Sequence, residues 1–235
     1  MGRLSCRRTA SGRRHQTPSN RQQHQRTDRV LMYTPPSFGE ARPEVLRDLM
    51  RRYPFGTLVS TSTTGPQVTH LPFLIDEQCT RLRGHMARAN AHWQTLNDGS
   101  VLAIFQGPHA YISPTYYAAE FAVPTWNYVA IHATGTARII EDPTAVQQLL
   151  DDLIAASDTH GWRMPWQHEN SAGMLAAIVA FEIDIERLEG KAKLGQNRSA
   201  EDQDRTARAL AASTRPGDRE LADFMAEYLP RKETE

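Results

Sequence analysis

Between Val101 and Ile140 the chain carries only two formally charged residues, Glu120 and Arg138, and it is broken by Gly107-Pro108, Pro114 and Pro124. So apolar and so often interrupted a stretch cannot be one helix, because proline removes a backbone donor and clashes with the preceding turn. The runs between breakers read as strands. Val101–Phe105 is continuously apolar, which predicts a strand buried on both faces. From Thr125 the pattern alternates, with Trp126, Tyr128, Ala130, His132 and Thr134 on one side and Asn127, Val129, Ile131 and Ala133 on the other. Sides of different chemistry predict a core on one face and a site or interface on the other.

With 235 residues, 40% of them hydrophobic, the chain can bury a sizeable core. Net charge is zero, but residues 1–31 hold eight arginines and one acid, leaving an acidic remainder. That N-terminal stretch has hardly any large apolar side chains and is expected to be disordered. It reads as an extension ahead of a start at Met32, or as a basic arm touching nucleic acid. The ordered domain is expected over residues 32–235. Two cysteines, Cys6 and Cys79, make no disulfide framework, and no apolar run has membrane-spanning length. These features predict a cytoplasmic protein.

Pro43 at a first helical position, an apolar stripe of Val45, Leu46, Leu49 and Met50, and a stop at Pro54 predict a short amphipathic helix. Gly56–Ser62 and Gln67–Ile75 form a hairpin around Thr64-Gly65-Pro66. Arg81–Met86 is a third strand and Ala89–Leu96 a brief helix. After Ile140, Asp142-Pro143 caps a helix whose apolar positions run to Ile154. Met174–Leu175 belongs to a short helix, Ile178–Ile185 alternates as a strand, and two helices follow, opened by the capping box Ser199–Asp202 and by Asp218. Six or more strands with a few helices predict a mainly β architecture, a closed or nearly closed barrel with peripheral helices.

There is no Gly-x-Gly-x-x-Gly or Walker loop, and the nine histidines lack metal-ligand spacing. Three clusters have binding chemistry. In Thr69-His70-Leu71-Pro72-Phe73 a proline interrupts a strand, signalling an edge or a bulge that frees backbone groups for a ligand. Gly84-His85-Met86-Ala87-Arg88-Ala89-Asn90 passes from strand to helix and offers His85, Arg88 and Asn90 to a phosphate, a solvated turn being the plain alternative. Lys191–Ser199 is rich in donors, including Lys193, Gln196 and Asn197, and competes as an anion site with an ordinary solvated face. With Trp126 and Tyr128 as an aromatic wall, the three predict one pocket with a phosphate-binding rim.

These residues resemble a known family. Met32–Phe38, His70-Leu-Pro-Phe73, Gly84–Asn90, Phe105–Pro114, Val123–Tyr128 and Lys193-Leu-Gly-Gln-Asn197 are similar, in order, to the PaiB-type FMN-binding negative transcriptional regulators, over Met32 to about Tyr228. The resemblance implies an FMN-binding split β-barrel, a homodimer with flavin between subunits, and cofactor contacts from His70, Leu71, Pro72, His85, Arg88, Asn90, Trp126, Tyr128, Lys193, Gln196 and Asn197. One departure stands out: Gly195 replaces the usual serine, removing a hydroxyl. Direct DNA binding is not expected from the last helix, read as Asp218 to Leu229, where Asp218, Glu220, Asp223 and Glu227 face Arg219 alone. A flavin-dependent oxidoreductase is the alternative, with no residue assigned as a catalytic acid or base. A haem-binding module is the third reading.

Overall fold

The computed structural model describes residues 32–63, 65–119 and 121–233, so the Arg-rich stretch 1–31 lies outside the described residues. Its first regular elements are β1 (Gly39–Glu40), α1 (Pro43–Arg52), β2 (Phe55–Ser62), β3 (Gly65–Pro72), β4 (Leu74–Ile75) and β5 (Arg81–Ala87). The long strands β6 (Ser100–Ile112) and β7 (Thr125–Ile140) follow, then α2 (Pro143–Ser157) and α3 (Ser171–Ala176). The chain ends through β8 (Ile178–Lys193), α4 (Ala200–Ala211) and α5 (Asp218–Glu233).

Pairing is antiparallel and runs β3-β2-β6-β7-β8-β5-β4, with β1 added to the far end of β8. β3 and β4 are one run of chain interrupted only at Phe73, so the two ends of that order are covalently continuous and the sheet closes. Pro72 explains the interruption. It has no N–H for the ladder, and the next donor, Phe73 N–H, bonds the Pro54 carbonyl instead at 2.9 Å. Phe73 then turns into the barrel and meets Phe105 and Phe181 edge-on, with ring centroids 5.4 and 6.3 Å away. Gly84 lies against Leu71, Phe181 and the Pro72 carbonyl. A Cβ there would stand 2.9 Å from Leu71 Cδ1, so this glycine serves barrel closure.

Two strands exceed their sequence reading. β6 crosses Gly107-Pro108 as a bulge between Gln106 and His109, because a bulge accommodates a residue that cannot donate. β8 runs on from Ile185 to Lys193 through a second irregularity opposite Thr134/Gly135. The expectation that Val101–Phe105 is buried on both faces is corrected: Val101, Ala103 and Phe105 are buried, but Leu102 and Ile104 are only half-buried. They point outward, with Phe55 66% and Val68 53% exposed on neighbouring strands. Among the described residues that outer face stays open, whereas α2 covers the outside of β8 by packing Val146, Leu149 and Leu153 on Ala180.

The helices are capped as the residues dictate. Asp142 accepts the Thr144 and Ala145 N–H groups, and Ser199 accepts that of Asp202. The reciprocal half of the Ser199 capping box is absent, because the Asp202 carboxylate accepts the Ala118 N–H at 2.7 Å and so ties α4 to the segment after β6. Buried Glu40 anchors α5. Its carboxylate takes Arg42 Nε at 3.0 Å and Nη2 at 2.7 Å, and the Tyr228 hydroxyl at 2.6 Å. Burial pushes the Glu40 pKa up, but the bonds from Arg42 and Tyr228 outweigh it and hold the group below its ordinary 4.5. Stability from this group is therefore present above pH 4.5 and lost as pH falls through the lower folded value. Tyr228→Phe should cost about 1–3 kcal/mol and move the acid-unfolding midpoint to higher pH, as followed by circular dichroism.

Candidate functional site

The sequence-predicted residues form two groups. The first surrounds the β3/β5 seam. His70 is exposed on the outer face of β3, opposite Thr57 of β2. Pro72 follows on the same face, half-buried. Leu71 points into the core at 4% exposure, which leaves its backbone rather than its side chain to face a ligand at the surface. His85 points outward from β5, with Nδ1 buried and without a hydrogen-bond partner among the described residues. Burial lowers its pKa, which favours the neutral ring. Around it Leu150, Ile154, Trp162, Met164 and Met174 line a groove of about 440 Å³.

Arg88 and Asn90 spend much of their polarity on the fold. Arg88 donates through Nε to Ala176 O and through Nη2 to Ile178 O, both at 2.8 Å. Asn90 caps the short turn Ala91–Thr95 by accepting the His92 N–H, and donates to Thr69 Oγ1 at 2.9 Å. The His92 ring is buried between Thr69 Oγ1, 2.7 Å from Nδ1, and Ser60 Oγ, 3.0 Å from Nε2. The sequence reading missed His92, which lies two residues past the cluster it singled out. A cleft of about 750 Å³ opens beside Arg88, bounded by Trp93, Arg138, Glu141, Val146 and Leu175. Both hollows are in the size range of small-molecule sites.

The second group occupies the junction of β7 and β8. Trp126 is 49% exposed, 6.1 Å from the Tyr111 ring and 6.3 Å from that of His109. Tyr128 pairs with Lys193 across the ladder, and Lys191 Nζ lies 5.3 Å over its ring. Lys193 Nζ donates to Thr125 Oγ1 and to Trp126 O, each at 2.5 Å. Its pKa is lowered by burial first, then by the charges of Lys191 and Arg198. Gln196 folds back on its own turn, accepting Leu194 N–H and donating to Ala192 O, which leaves exposed Asn197 as the group facing solvent. Gly195 has φ +89°, a left-handed conformation that glycine adopts without the strain a serine would carry. The departure from the family pattern thus suits this turn.

The two groups do not line one pocket within a chain. Arg88 bonds Ile178 at the start of β8 and Lys193 ends it, and the strand is 16 residues long, a contour of about 50 Å. Between them runs a row across the open outer face: His70 opposite Thr57, Thr57 opposite Ile104, Ile104 opposite His132, and His132 opposite Glu189. Nδ1 of His132 and Oγ1 of Thr134 are buried without a hydrogen-bond partner among the described residues. Two orphaned polar atoms among half-buried apolar side chains fit a surface completed by a ligand or another chain.

Residues 32–187 match the family model described as "Putative FMN-binding domain". The chain belongs to this family. FMN is accordingly its cofactor, and an open outer face with unpartnered polar atoms, flanked by cations and aromatic rings, suits such a molecule. The chain is 31% identical over 207 residues to "Protease synthase and sporulation protein PAI 2" of Bacillus subtilis, covering 86% of this chain and all of that one. It is also 31% identical to an uncharacterized protein of Emericella nidulans, covering 74% and 88% of the two chains. Among solved structures, the flavocytochrome Anf3 of Azotobacter vinelandii superposes with TM-score 0.56 at 16% identity, over 67% of this chain and 70% of that one. An FAD and heme binding protein of Mycobacterium smegmatis gives 0.54 at 18%, over 70% and 78%. At these identities the structural likeness speaks for the fold, a mainly antiparallel split barrel with a few helices.

Burial lowers the pKa of His85 and His92 below the ordinary 6.5 and likewise that of His132, despite an opposing pull from Glu189. Each favours its neutral form in the fold, so stability is complete above pH 6.5 and declines as pH falls below it. Melting temperature should drop between pH 7 and 5. His92→Gln, which keeps a donor and an acceptor but cannot be charged, should flatten that slope, as measured by calorimetry across pH.

Proposed function

We propose that this chain is a homodimeric FMN protein of the PaiB type, with each flavin held at the subunit seam, and that it acts as a negative regulator. The observation that supports the dimer is the placement of the two groups of candidate residues at opposite ends of β8. A second copy related by a two-fold axis brings one group of each chain toward the other group of its partner. In this reading His70, Pro72, His85, Arg88 and Asn90 come from one chain, while Trp126, Tyr128, Lys193, Gln196 and Asn197 come from its partner. Leu71 contributes backbone alone. Half-buried Leu102 and Ile104 and the unpartnered atoms of His132 and Thr134 would then be covered by the second subunit. Bound FMN supplies one- and two-electron redox chemistry, and the protein's part is to hold and orient it.

The regulatory reading rests on the family resemblance and works without a recognition helix in α5. Leu221, Phe224, Met225 and Tyr228 of α5 are buried in the core, and three of its acids are engaged with the rest of the fold. Glu220 accepts the Tyr53 hydroxyl at 2.8 Å, Glu227 pairs with Arg52 at 3.3 Å, and Asp218 accepts the Ser213 hydroxyl at 2.7 Å. A helix docked this way offers DNA a negative surface. Regulation would run through the flavin or through a protein partner.

Purified protein should be yellow, sediment as a dimer and release one FMN per subunit on denaturation; a colourless monomer that cannot be reconstituted would overturn the reading. The fragment beginning at Met32, which forms one compact unit, should give no mobility shift of duplex DNA at nanomolar concentration and physiological salt. Steady NAD(P)H oxidation by the flavin-loaded protein would favour the oxidoreductase alternative.

A further inference from the structure

Lys191, Lys193 and Arg198 form a cluster of cations with no carboxylate paired to it among the described residues. Lys191 is only 8% exposed. Its ammonium has three protons to give but, among the described residues, one hydrogen-bond acceptor, Tyr33 O at 2.8 Å. Otherwise it faces the rings of Tyr33 and Tyr128, at 5.4 and 5.3 Å. The Arg198 guanidinium lies 4.4 Å over the Tyr117 ring. The three are close enough that Lys191 and Arg198 both disfavour the charge on Lys193. Glu189, two residues before Lys191 on the same strand face, accepts Met32 N–H through Oε1 at 3.5 Å, and its Oε2 is ion-paired with Arg187 Nε at 3.3 Å without a hydrogen bond.

Charges gathered out of water are ordinarily paired with opposite ones, and other cations of this chain are: Arg42, Arg51, Arg81, Arg83 and Arg138 all meet carboxylates. Cation–ring contacts compensate only part of the loss of solvent. We propose that Lys191, Lys193 and Arg198 are an anion-binding site for a phosphate group, carried on a planar molecule that lies against Trp126 and Tyr33. Both rings have free faces, at 49% and 84% exposure. The phosphate comes from the flavin nucleotide itself or from a separate phosphate-bearing molecule. Its assignment here goes beyond the proposed function, which placed the nucleotide in the seam without saying which cations meet its phosphate. Arg88, the cation at the other end of β8, has two of its donor groups committed to backbone carbonyls. The planar part of the proposal rests on the flavin reading, and the anion site does not.

The test is calorimetric titration of the full-length, flavin-stripped protein with inorganic phosphate, FMN and riboflavin. The variants are Arg198→Gln, Lys191→Met and the charge-keeping Lys191→Arg. Loss of either cation should weaken phosphate binding at least tenfold, and Lys191→Arg should restore most of it. If the phosphate is the flavin's own, the same variants narrow the gap between FMN and riboflavin affinity. An unchanged gap with weakened inorganic phosphate binding assigns the site to a separate phosphate-bearing molecule and also supports it. Unchanged phosphate and FMN binding in both charge-removing variants overturns the proposal, as does an equal loss of FMN and riboflavin affinity with a lowered melting temperature. Wild-type protein that binds phosphate but neither flavin sinks the flavin reading and leaves the anion site standing.

Discussion

Pro72 has no N–H to contribute to the ladder, and much of the architecture follows from that single missing donor. The run of chain that pairs with β2 must leave it at Phe73, whose N–H goes to Pro54 O. It resumes as β4 against β5. One continuous segment therefore serves both edges of the sheet and closes it. Closure turns Leu58, Leu82, Phe105, Phe181 and Ile183 inward and turns His70, Ile104, His132 and Tyr128 outward. The candidate site residues with polar side chains consequently lie on the outside of the barrel.

An outside face must be completed by something. α2 completes part of it with an apolar stripe, which left a clear helical period in the sequence. The remainder, from β3 across β2 and β6 to β7, presents half-buried aliphatic side chains and two unpartnered polar atoms, a combination costly to leave in water and costly to bury alone. In the proposed dimer a second subunit resolves both, and it brings together residues that one chain holds at opposite ends of β8.

Much of the fold was legible because the signals were local. The Pro43 start, the Asp142 cap and the alternation in β7 each reflect a residue's own backbone preference. Continuation of β6 through Gly107-Pro108 was not legible, since a bulge is stabilised by neighbouring strands that a single segment does not reveal. Burial of Val101–Phe105 was overread for a related reason: an apolar run records that water is excluded, without recording whether the same chain or another excludes it. At the candidate site, the motifs drew attention to segments but not to the state of each side chain. Arg88, Asn90 and Gln196 read as open donors, yet their hydrogen bonds hold the turns that carry them. Lys191 and Arg198 drew no separate notice in a donor-rich run, because only the folded ladder shows that no carboxylate meets them.

The central claim is that neither chain alone makes the flavin site. Complementation tests it most directly. Two chains are prepared, one with His70→Glu and one with Trp126→Glu, so that each spoils a different end of the site. Each variant's own dimer should hold no FMN. Mixed dimers, isolated through two different tags, should recover one FMN per dimer, because one of their two seams has both ends intact. Mixed dimers as empty as the parents, or either variant alone keeping a full complement of flavin, would contradict a site shared between subunits.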